Sequence, residues 1–329
     1  MVGEYKVRVR NSRNSYSFSL KRNITILRGE SGRGKTTLFE MILEHNRFGK
    51  SSGVSISCDR GLLALSQERW DEEISKNPGK IIVIDEDSRF IKSKAFAETV
   101  REKDNYFLLI TRNYLDQLPI SVEEIYELYG AKNKRFRRIY KNIDRMYDDP
   151  PRAYLPFRPD IIITEDSGSG FQFFKKMADD LGMKCESSGG KSNLLRVMNK
   201  YPDKNVALIA DGAAIGSEIA DLAKQQSLRP KKIAIYLPES FEWIILGAGI
   251  VGGVDRAKID MPERFADSMD YMSWEQYFTD ILIKATKNTV FQRYDKAKLP
   301  DFYLQDGVQS RVKGFIKGID LSLLKGFEE

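Results

Sequence analysis

The stretch "GESGRGKTT", residues 29–37, decides how the first half of the chain is interpreted. It satisfies the pattern G-x-x-x-x-G-K-S/T at every fixed position, with Gly29, Gly34, Lys35 and Thr36. Glycines let such a loop curl so that its backbone N–H groups point at phosphate. The lysine neutralises phosphate charge, and the threonine hydroxyl can bind Mg²⁺. The pattern therefore predicts a site for the phosphates of a nucleotide.

Apolar segments on either side of this stretch predict an α/β fold. A strand over 23–28 leads into it, a helix follows it, and buried strands are predicted within "KIIVIDED" (80–87) and "NYFLLITRN" (105–113). Alternating apolar residues in 5–9 and 16–20 predict a β-hairpin near the N-terminus. A strand, a loop and a helix followed by further apolar strands form the pattern of a parallel sheet.

Charged residues after the later strands complete the predicted nucleotide site. Asp85 is expected to hold Mg²⁺ through water, and Glu86 to polarise an attacking water. Arg112, just past a strand, is placed to sense the γ-phosphate. The alternatives are solvated strand-end acids for Glu86 and Asp87, which we favour for Asp87, and a surface turn residue for Arg112. The predicted nucleotide-binding residues are Gly29, Glu30, Ser31, Gly32, Arg33, Gly34, Lys35, Thr36, Thr37 and Arg112.

The composition is that of an ordinary globular protein. The chain has 329 residues, enough for two domains, with 41% hydrophobic and 30% charged residues. Its longest weakly polar run, 243–254, is too short for a membrane span, which takes about 20 residues. The N-terminal "MVGEYKVRVR" lacks the apolar core of a signal peptide, so we expect a cytoplasmic protein.

Cysteine and histidine are too scarce for several classes of site. Cys58 and Cys185 are the only cysteines, one in each half, which argues against a disulfide framework and a zinc site. The single histidine, His45, is expected to be a packing or surface residue. Hydrolytic chemistry must then depend on carboxylates, lysines and metal ions rather than on Ser–His or His–Cys pairs.

The basic charge of the chain is concentrated in "KNKRFRRIYKNIDR", residues 132–145. This stretch has seven basic residues and one acid, an excess equal to the net charge of +6 of the whole chain. Its apolar residues Phe136, Ile139 and Tyr140 recur at helical spacing, so we expect a helix that buries them and exposes the cations to phosphate backbones. The alternative is a solvated helix that bridges two domains. The predicted nucleic-acid-binding residues are Lys134, Arg135, Arg137, Arg138 and Lys141.

Four prolines in "DDPPRAYLPFRP", residues 148–159, indicate a domain boundary because they cannot continue a helix. The predicted nucleotide-binding domain, 1–147, lies before this linker. Alternating strands and helices over 160–254 predict a second α/β domain after it, and 255–329 becomes helical and aromatic.

Two strands of the second predicted domain end in acids, Glu165 and Asp211. Because the carboxyl ends of parallel strands meet at one edge of a sheet, both acids should converge there as the catalytic pair. Glu239 and Glu242 begin a helix three residues apart and share its face. Clustered carboxylates suit Mg²⁺ or Mn²⁺, so these four acids are the predicted metal ligands. The alternative is that they are ordinary strand-end and first-turn acids.

The motifs of both halves resemble known families. Those of the first half resemble the Walker A and Walker B motifs of P-loop NTPases, without the LSGGQ-like signature of ABC-type ATPases. Residues 160–250 resemble the Toprim domain of topoisomerases, primases and OLD-family nucleases, in the strand ends at Glu165 and Asp211, the turn "GGKSN" and the helix "ESFEWIIL". That domain's second motif is D-x-D, whereas this chain has Ala213 in the last place. A P-loop ATPase followed by Toprim is the arrangement of OLD-family proteins, many of which are implicated in phage defence.

The resemblance implies an ATP- and Mg²⁺-dependent protein whose nucleotide state gates a nuclease or nucleic-acid-binding site. The alternative is a regulatory or sensor ATPase whose second domain only binds a partner, an interpretation that Ala213 supports. A small-molecule kinase would explain the phosphate-binding pattern but not the second domain. The choice of DNA or RNA, the preference for ATP or GTP, the oligomeric state, any partner protein and the trigger stay open.

Overall fold

The computed structural model describes residues 1–65, 68–113, 115–131, 139–147, 157–316 and 319. Proximity of Cα atoms divides the chain into two units, which are described separately. The first comprises Met1–Asp148 and Met261–Ser273, and the second comprises Asp149–Asp260 and Trp274–Glu329. The predicted region 255–329 is therefore divided between the units: 261–273 belong to the first unit, and the rest belong to the second.

The first unit contains a mixed sheet. Its strands are β1 (Tyr5–Arg10), β2 (Asn14–Leu20), β3 (Ile24–Arg28), β4 (Ser55–Ser57), β5 (Leu62–Ala64), β6 (Ile81–Ile84), β7 (Tyr106–Ile110), β8 (Ile125–Ala131) and β9 (Ile139–Arg145). Across the sheet their order is β4-β1-β2-β9-β8-β3-β7-β6-β5. The run from β8 to β5 is parallel throughout, so the predicted α/β class is confirmed.

The burial of each strand follows its place in this sheet. Every residue of β3 is buried because β7 and β8 flank it on both sides. In β1 buried and exposed residues alternate, and β1 pairs antiparallel with β2, which confirms the predicted hairpin.

Three helices of the described chain belong to the first unit: α1 (Lys35–Phe48), α2 (Trp70–Ser75) and α3 (Lys94–Glu102). Helix α1 buries Leu38, Met41 and Ile42 in the same core as Tyr16 of β2. The first unit thus places a helix directly after the loop that follows β3.

The helix predicted over the basic stretch is wrong for residues 139–145, which form β9. This strand pairs antiparallel with β8 and parallel with β2, so its backbone hydrogen bonds go to the sheet. Ile139 and Tyr140, expected to be buried, are 41% and 51% exposed. Pairing on both sides has overridden a weak helical spacing. Residues 132–138 lie outside the described residues.

The second unit has a parallel sheet with the order β11-β10-β12-β13. Its strands are β10 (Ile161–Thr164), β11 (Lys184–Ser187), β12 (Val206–Ile209) and β13 (Ile233–Tyr236). Its helices are α4 (Ser169–Asp180), α5 (Leu194–Met198), α6 (Ile219–Leu228), α7 (Phe241–Gly247), α8 (Arg256–Asp260), α9 (Trp274–Thr286) and α10 (Asp306–Phe315). Since β10 and β12 are neighbours and parallel, the residues after them lie at one edge.

The segment 261–273 joins the first unit through hydrogen bonds to its backbone carbonyl groups. The N–H of Gly3 donates to the carbonyl of Glu263 at 2.7 Å, and the side-chain amide of Asn23 donates to the carbonyl of Met272 at 3.0 Å. No helix among the described residues is both long enough and apolar enough to cross a bilayer.

Candidate nucleotide and carboxylate sites

The glycine-rich loop, residues 29–34, connects β3 to α1 at the carboxyl edge of the parallel strands. Gly34 caps α1 in the left-handed region, at φ 107°, where a side chain would be strained. A Cβ atom on Gly34 would also lie 2.9 Å from the Tyr16 hydroxyl. No side chain caps this helix and no acid lies in its first turn. The positive end of the helix is therefore open to an anion.

Lys35 is folded back onto the glycine-rich loop. Its ammonium donates to the carbonyls of Gly29 at 2.6 Å and of Glu30 at 2.9 Å, and the residue is 5% exposed. Burial, and then the charge of Arg112, lower the pKa of Lys35, while Glu86 and nearby acids oppose this. The ammonium is thus held at the loop within electrostatic range of the strand-end charges.

Asp85 directly follows β6 and has a buried oxygen that is not satisfied. Its Oδ1 has no hydrogen-bond partner among the described residues, and burial raises the pKa of the carboxyl. A buried carboxylate oxygen without a partner is costly, on the order of 1–3 kcal/mol. The position therefore suits a water molecule bound to a cation.

Arg112, after β7, connects two of the other predicted site residues. Its Nη2 donates to the hydroxyl of Ser31 at 2.7 Å, and its Nε lies 3.2 Å from Oε1 of Glu86. The structure thus brings together a loop residue and two strand-end residues that are far apart in sequence.

Tyr16 and Lys141 also contact the glycine-rich loop. The Tyr16 hydroxyl donates to the carbonyl of Gly34 at 2.9 Å, and the Lys141 ammonium donates to the carbonyl of Arg33 at 2.7 Å. Tyr16 is not among the site residues predicted from the sequence, and Lys141 is predicted there to bind nucleic acid. Only the pairing of β2 with β9 reveals that the two are neighbours.

The other predicted residues of this site are more exposed. Thr36 lies exposed in the first turn of α1, and the Thr37 side chain bonds to the hydroxyl of Tyr16. Glu30 and Arg33 form an exposed ion pair at 3.2 Å. Lys134, Arg135, Arg137 and Arg138 lie outside the described residues.

In the second unit, Glu165 and Asp211 meet at the edge of the sheet. The backbone N–H of Asp211 donates to Oε2 of Glu165 at 3.2 Å. Both residues line a cavity of about 20 Å³, together with Asp166, Gly170 and Phe241. A cavity of that size holds about one water molecule or a small ion.

The carboxyl groups at this edge are more easily protonated than usual. The pKa of Glu165 is raised to about 7, mainly by burial and also by the charge of Glu275, while the N–H of Asp211 opposes the shift. Burial also raises the pKa of Asp211 well above its usual range, and Glu275 and Glu242 add to this. Such shifts are expected where several carboxylates share a poorly solvated space.

A lysine from the last part of the chain lies among these acids. The Lys296 ammonium is 2.5 Å from Oε1 of Glu275 and 3.6 Å from Oε1 of Glu242. Glu242 is 1% exposed and also accepts a hydrogen bond at 2.7 Å from Tyr294, which contacts Ser169 at 2.6 Å. Burial lowers the pKa of Lys296, but Glu242 and Glu275 outweigh burial and raise it strongly. The predicted ligand Glu242 is therefore already engaged by protein groups.

The segment after Asp211 packs closely against the end of β13. A Cβ atom on Gly212 would lie 2.6 Å from the carbonyl oxygen of Leu237, so only glycine fits there. Ala213 is 2% exposed, and its N–H contacts the carbonyl of Glu239 at 3.4 Å. Within the described part of the chain, no three side chains of His, Cys, Asp or Glu are arranged to hold a metal ion.

Sequence analysis missed the residues that the last part of the chain contributes. Glu275 lies in the first turn of α9, in a stretch that has the pattern of an ordinary amphipathic helix, and Lys296 lies in "DKAKLP", which resembles a surface loop. Nothing in their local sequence indicates a site.

Comparison with protein-family models and with characterised proteins gives no match to this chain. Its function must therefore be inferred from the geometry and charges of the residues described above.

Proposed function

We propose that the first unit binds and hydrolyses a nucleoside triphosphate, which we expect to be ATP. The observation that carries this proposal is Lys35, folded onto the glycine-rich loop within electrostatic range of Asp85, whose buried oxygen lacks a partner. When a nucleotide binds, phosphate oxygens would replace the carbonyls of Gly29 and Glu30 as the hydrogen-bond acceptors of the Lys35 ammonium. The uncapped start of α1 favours the same negative charge.

The residues present fit Mg²⁺ at this site. Thr36 provides a hydroxyl at the start of α1, and Asp85 provides an oxygen with no protein partner to lose. Mg²⁺ prefers such oxygen ligands, keeps several waters, and would neutralise charge on the phosphate oxygens when bound.

The chain itself supplies the groups for proton transfer and charge stabilisation. Glu86 lies just after β6, which β7 and β5 flank in the sheet, and is suited to orient a water molecule and accept its proton. Arg112 would place its charge near the γ-phosphate, as its bond to Ser31 of the loop supports. Their ion pair involves Oε1 of Glu86 and would be exchanged as Arg112 turns to the γ-phosphate.

In the second unit we propose a metal-dependent phosphodiesterase site. The nucleotide state of the first unit is proposed to control the activity of this site. Support comes from Glu165 and Asp211, which are in contact and line a small cavity with Asp166. Carboxylate oxygens are the ligands that a hard cation prefers, although these acids are not arranged as a three-ligand group among the residues that the structure describes. A cation bound there would polarise a phosphate and activate a water. Glu242 fits less well, since Tyr294 and Lys296 hold it. DNA or RNA is the proposed substrate, and the resemblance to OLD-family proteins extends the proposal to phage defence.

The second candidate is a regulatory or sensor ATPase in which the second unit binds a partner without cleaving it. Lys296 favours this candidate, because its ammonium already neutralises Glu242 and Glu275 without a metal ion. The apolar, buried Ala213 favours it as well.

The test combines ATP hydrolysis with cleavage of supercoiled DNA, linear DNA and tRNA, in Mg²⁺ or Mn²⁺ and with or without ATP. Lys35→Ala should remove hydrolysis, and Glu165→Ala or Asp211→Ala should remove cleavage only. Asp203→Ala is the matched acidic control, since that side chain is 94% exposed. Absence of hydrolysis in the wild type would refute the ATPase. Cleavage that survives both acid substitutions would refute the second site, and hydrolysis without any cleavage would favour the sensor.

A further inference from the structure

Tyr16 and Lys141 lie directly opposite each other on neighbouring strands. They are register partners in the parallel pairing of β2 with β9, so both side chains leave the sheet on the same face. That face is the one covered by α1, because Tyr16 is fully buried in the core that includes Leu38 and Met41. Tyr140, the residue before Lys141, points to the other face and is 51% exposed.

The two side chains hold successive carbonyl groups of the glycine-rich loop. Lys141 donates to Arg33 and Tyr16 donates to Gly34. In a planar trans peptide the C=O and N–H groups point in opposite directions. A donor that holds the Arg33 carbonyl thus turns the N–H of Gly34 away from itself. In the same way, a donor that holds the Gly34 carbonyl turns the N–H of Lys35 away from that donor.

We propose that Tyr16 and Lys141 are positioning residues of the nucleotide site, which fix the peptide groups Arg33–Gly34 and Gly34–Lys35 so that their N–H groups face the phosphates. Lys141 then belongs to the nucleotide site rather than to a nucleic-acid surface. The inference deepens the proposed ATP-binding function of the first unit and depends on it.

The chemistry of both donors suits this role. A hydrogen bond from an ammonium is stronger than one between neutral groups, and it polarises the peptide whose N–H would meet a phosphate. Burial, and then the nearby Arg33, lower the pKa of Lys141, so anionic phosphates would also stabilise its charged form. Burial raises the pKa of Tyr16 to about 12, which keeps its hydroxyl protonated and able to donate.

Both donors lie close to Gly34. A Cβ atom on Gly34 would be 2.9 Å from the Tyr16 hydroxyl and 3.4 Å from the Lys141 ammonium. The Gly34 carbonyl also accepts the N–H of Leu38 at 3.1 Å, so it joins the first turn of α1 to Tyr16. Both strands therefore support the loop at the point where it becomes a helix.

The experiment compares Lys141→Ala, Lys141→Arg and Tyr16→Phe with the wild type in two measurements. The first is the affinity for a fluorescent, slowly hydrolysed ATP analogue with Mg²⁺. The second is amide hydrogen exchange of residues 29–37 without nucleotide. Matched controls are Lys6→Ala, an exposed lysine of the same sheet, and Tyr140→Phe from the same strand as Lys141.

Lys141→Ala and Tyr16→Phe should each weaken the affinity by about three- to tenfold, the usual effect of losing one hydrogen bond. Both should also raise exchange in the loop several-fold, Lys141→Arg should recover most of the affinity, and the controls should stay within about twofold of the wild type. Unchanged affinity and exchange in both variants, with a wild type that binds the analogue, would overturn this inference alone. Weaker binding in Lys141→Ala without faster exchange, and with Tyr16→Phe unaffected, would indicate a distant charge effect and overturn the positioning role. A wild type that binds no nucleotide would overturn both proposals.

Discussion

Arg112 holds Glu86 in an ion pair, with 3.2 Å between its Nε and Oε1 of the glutamate, while its Nη2 donates to Ser31 of the glycine-rich loop. The proposed water-orienting acid is therefore tied to the loop that would carry the phosphates. About half of the Arg112 side chain is exposed, so solvent screens the pair and the pair contributes at most about 1 kcal/mol. Such a weak contact is easily exchanged when a triphosphate competes for Arg112.

Glu86→Gln should bind ATP at least as well as the wild type but hydrolyse it about 10²-fold or more slowly. The amide keeps the shape of the side chain and removes its ability to accept a proton. It also frees Arg112 from a charged partner. Separate measurements of nucleotide affinity and of single-turnover hydrolysis check both parts. Hydrolysis at the wild-type rate would exclude Glu86 as the base.

Lys35→Ala should abolish detectable ATP binding while the protein stays folded. The substitution removes the ammonium that contacts Gly29 and Glu30 and that would otherwise meet the phosphates. Calorimetric titration with Mg-ATP, with circular dichroism as the folding check, measures this. Lys50→Ala, an exposed lysine after the end of α1, is the matched control. A folded Lys35→Ala protein that binds ATP normally would refute the assignment of the loop.

Strands that consist of apolar runs could be predicted from the sequence, whereas β9, which lies in the basic stretch, could not. A five-residue apolar segment such as β7 is expected to be buried in a sheet regardless of which strands lie beside it, and every residue of β7 is buried. β9 has mixed polarity, and its two neighbours in the sheet, β2 and β8, make it a strand. The sequence predicts a helix because Phe136, Ile139 and Tyr140 recur at helical spacing, yet the side chains of Ile139 and Tyr140 are exposed.

The contact between Glu165 and Asp211 was likewise predictable, because parallel strands bring their carboxyl ends to one edge. Lys296 was not, since it comes from a loop far along the chain and only packing brings it to Glu242. Lys141 was assigned by its charge to a basic surface, whereas the register with Tyr16 places it at the glycine-rich loop. Charge can be counted in a sequence, but the direction of a side chain depends on strand pairing.

Glu165 should make the stability of the protein depend on pH near neutrality. Its pKa of about 7 in the folded state lies above the ordinary value of 4.5, so the folded protein binds the extra proton between these values. The free energy of unfolding should therefore fall as pH rises from 4.5 to 7, by up to roughly 1.4 kcal/mol per pH unit from this group. Glu165→Gln should lose that part of the slope in denaturant titrations. Parallel pH profiles for the two proteins would contradict the prediction.

If the basic stretch binds nucleic acid, the binding constant should fall with salt concentration to an extent that the cations of 132–138 determine. With about five phosphate contacts, log K against log[salt] for duplex DNA should slope at roughly −4 to −5. Reversal of Arg135, Arg137 and Arg138 to Glu should remove most of this slope. Lys141→Ala should leave it nearly unchanged, because Lys141 already contacts the loop carbonyl of Arg33. An unchanged slope in the charge-reversal variant would exclude the stretch as the binding surface.

Lys296→Ala should raise the affinity of the second unit for Mn²⁺ by about tenfold. The substitution removes the cation beside Glu242 and Glu275, so the carboxylates around Asp211 lose their internal neutralisation and attract a divalent ion more strongly. Mn²⁺ is the suitable probe because oxygen and nitrogen sites generally bind it more tightly than Mg²⁺.

The titration is followed by electron paramagnetic resonance of free Mn²⁺, with ATP absent so that the first unit takes up little metal. Lys298→Ala, two residues away and exposed, is the matched control and should bind Mn²⁺ as the wild type does. Lys296→Gln keeps the length of the side chain and tests the charge alone if the alanine variant is unstable. Combining Lys296→Gln with Asp211→Asn should cancel the gain in Mn²⁺ affinity, because the charges of the neighbouring carboxylates all act on Asp211. Equal Mn²⁺ affinity in the wild type and Lys296→Gln would mean that the lysine does not compete with a metal ion.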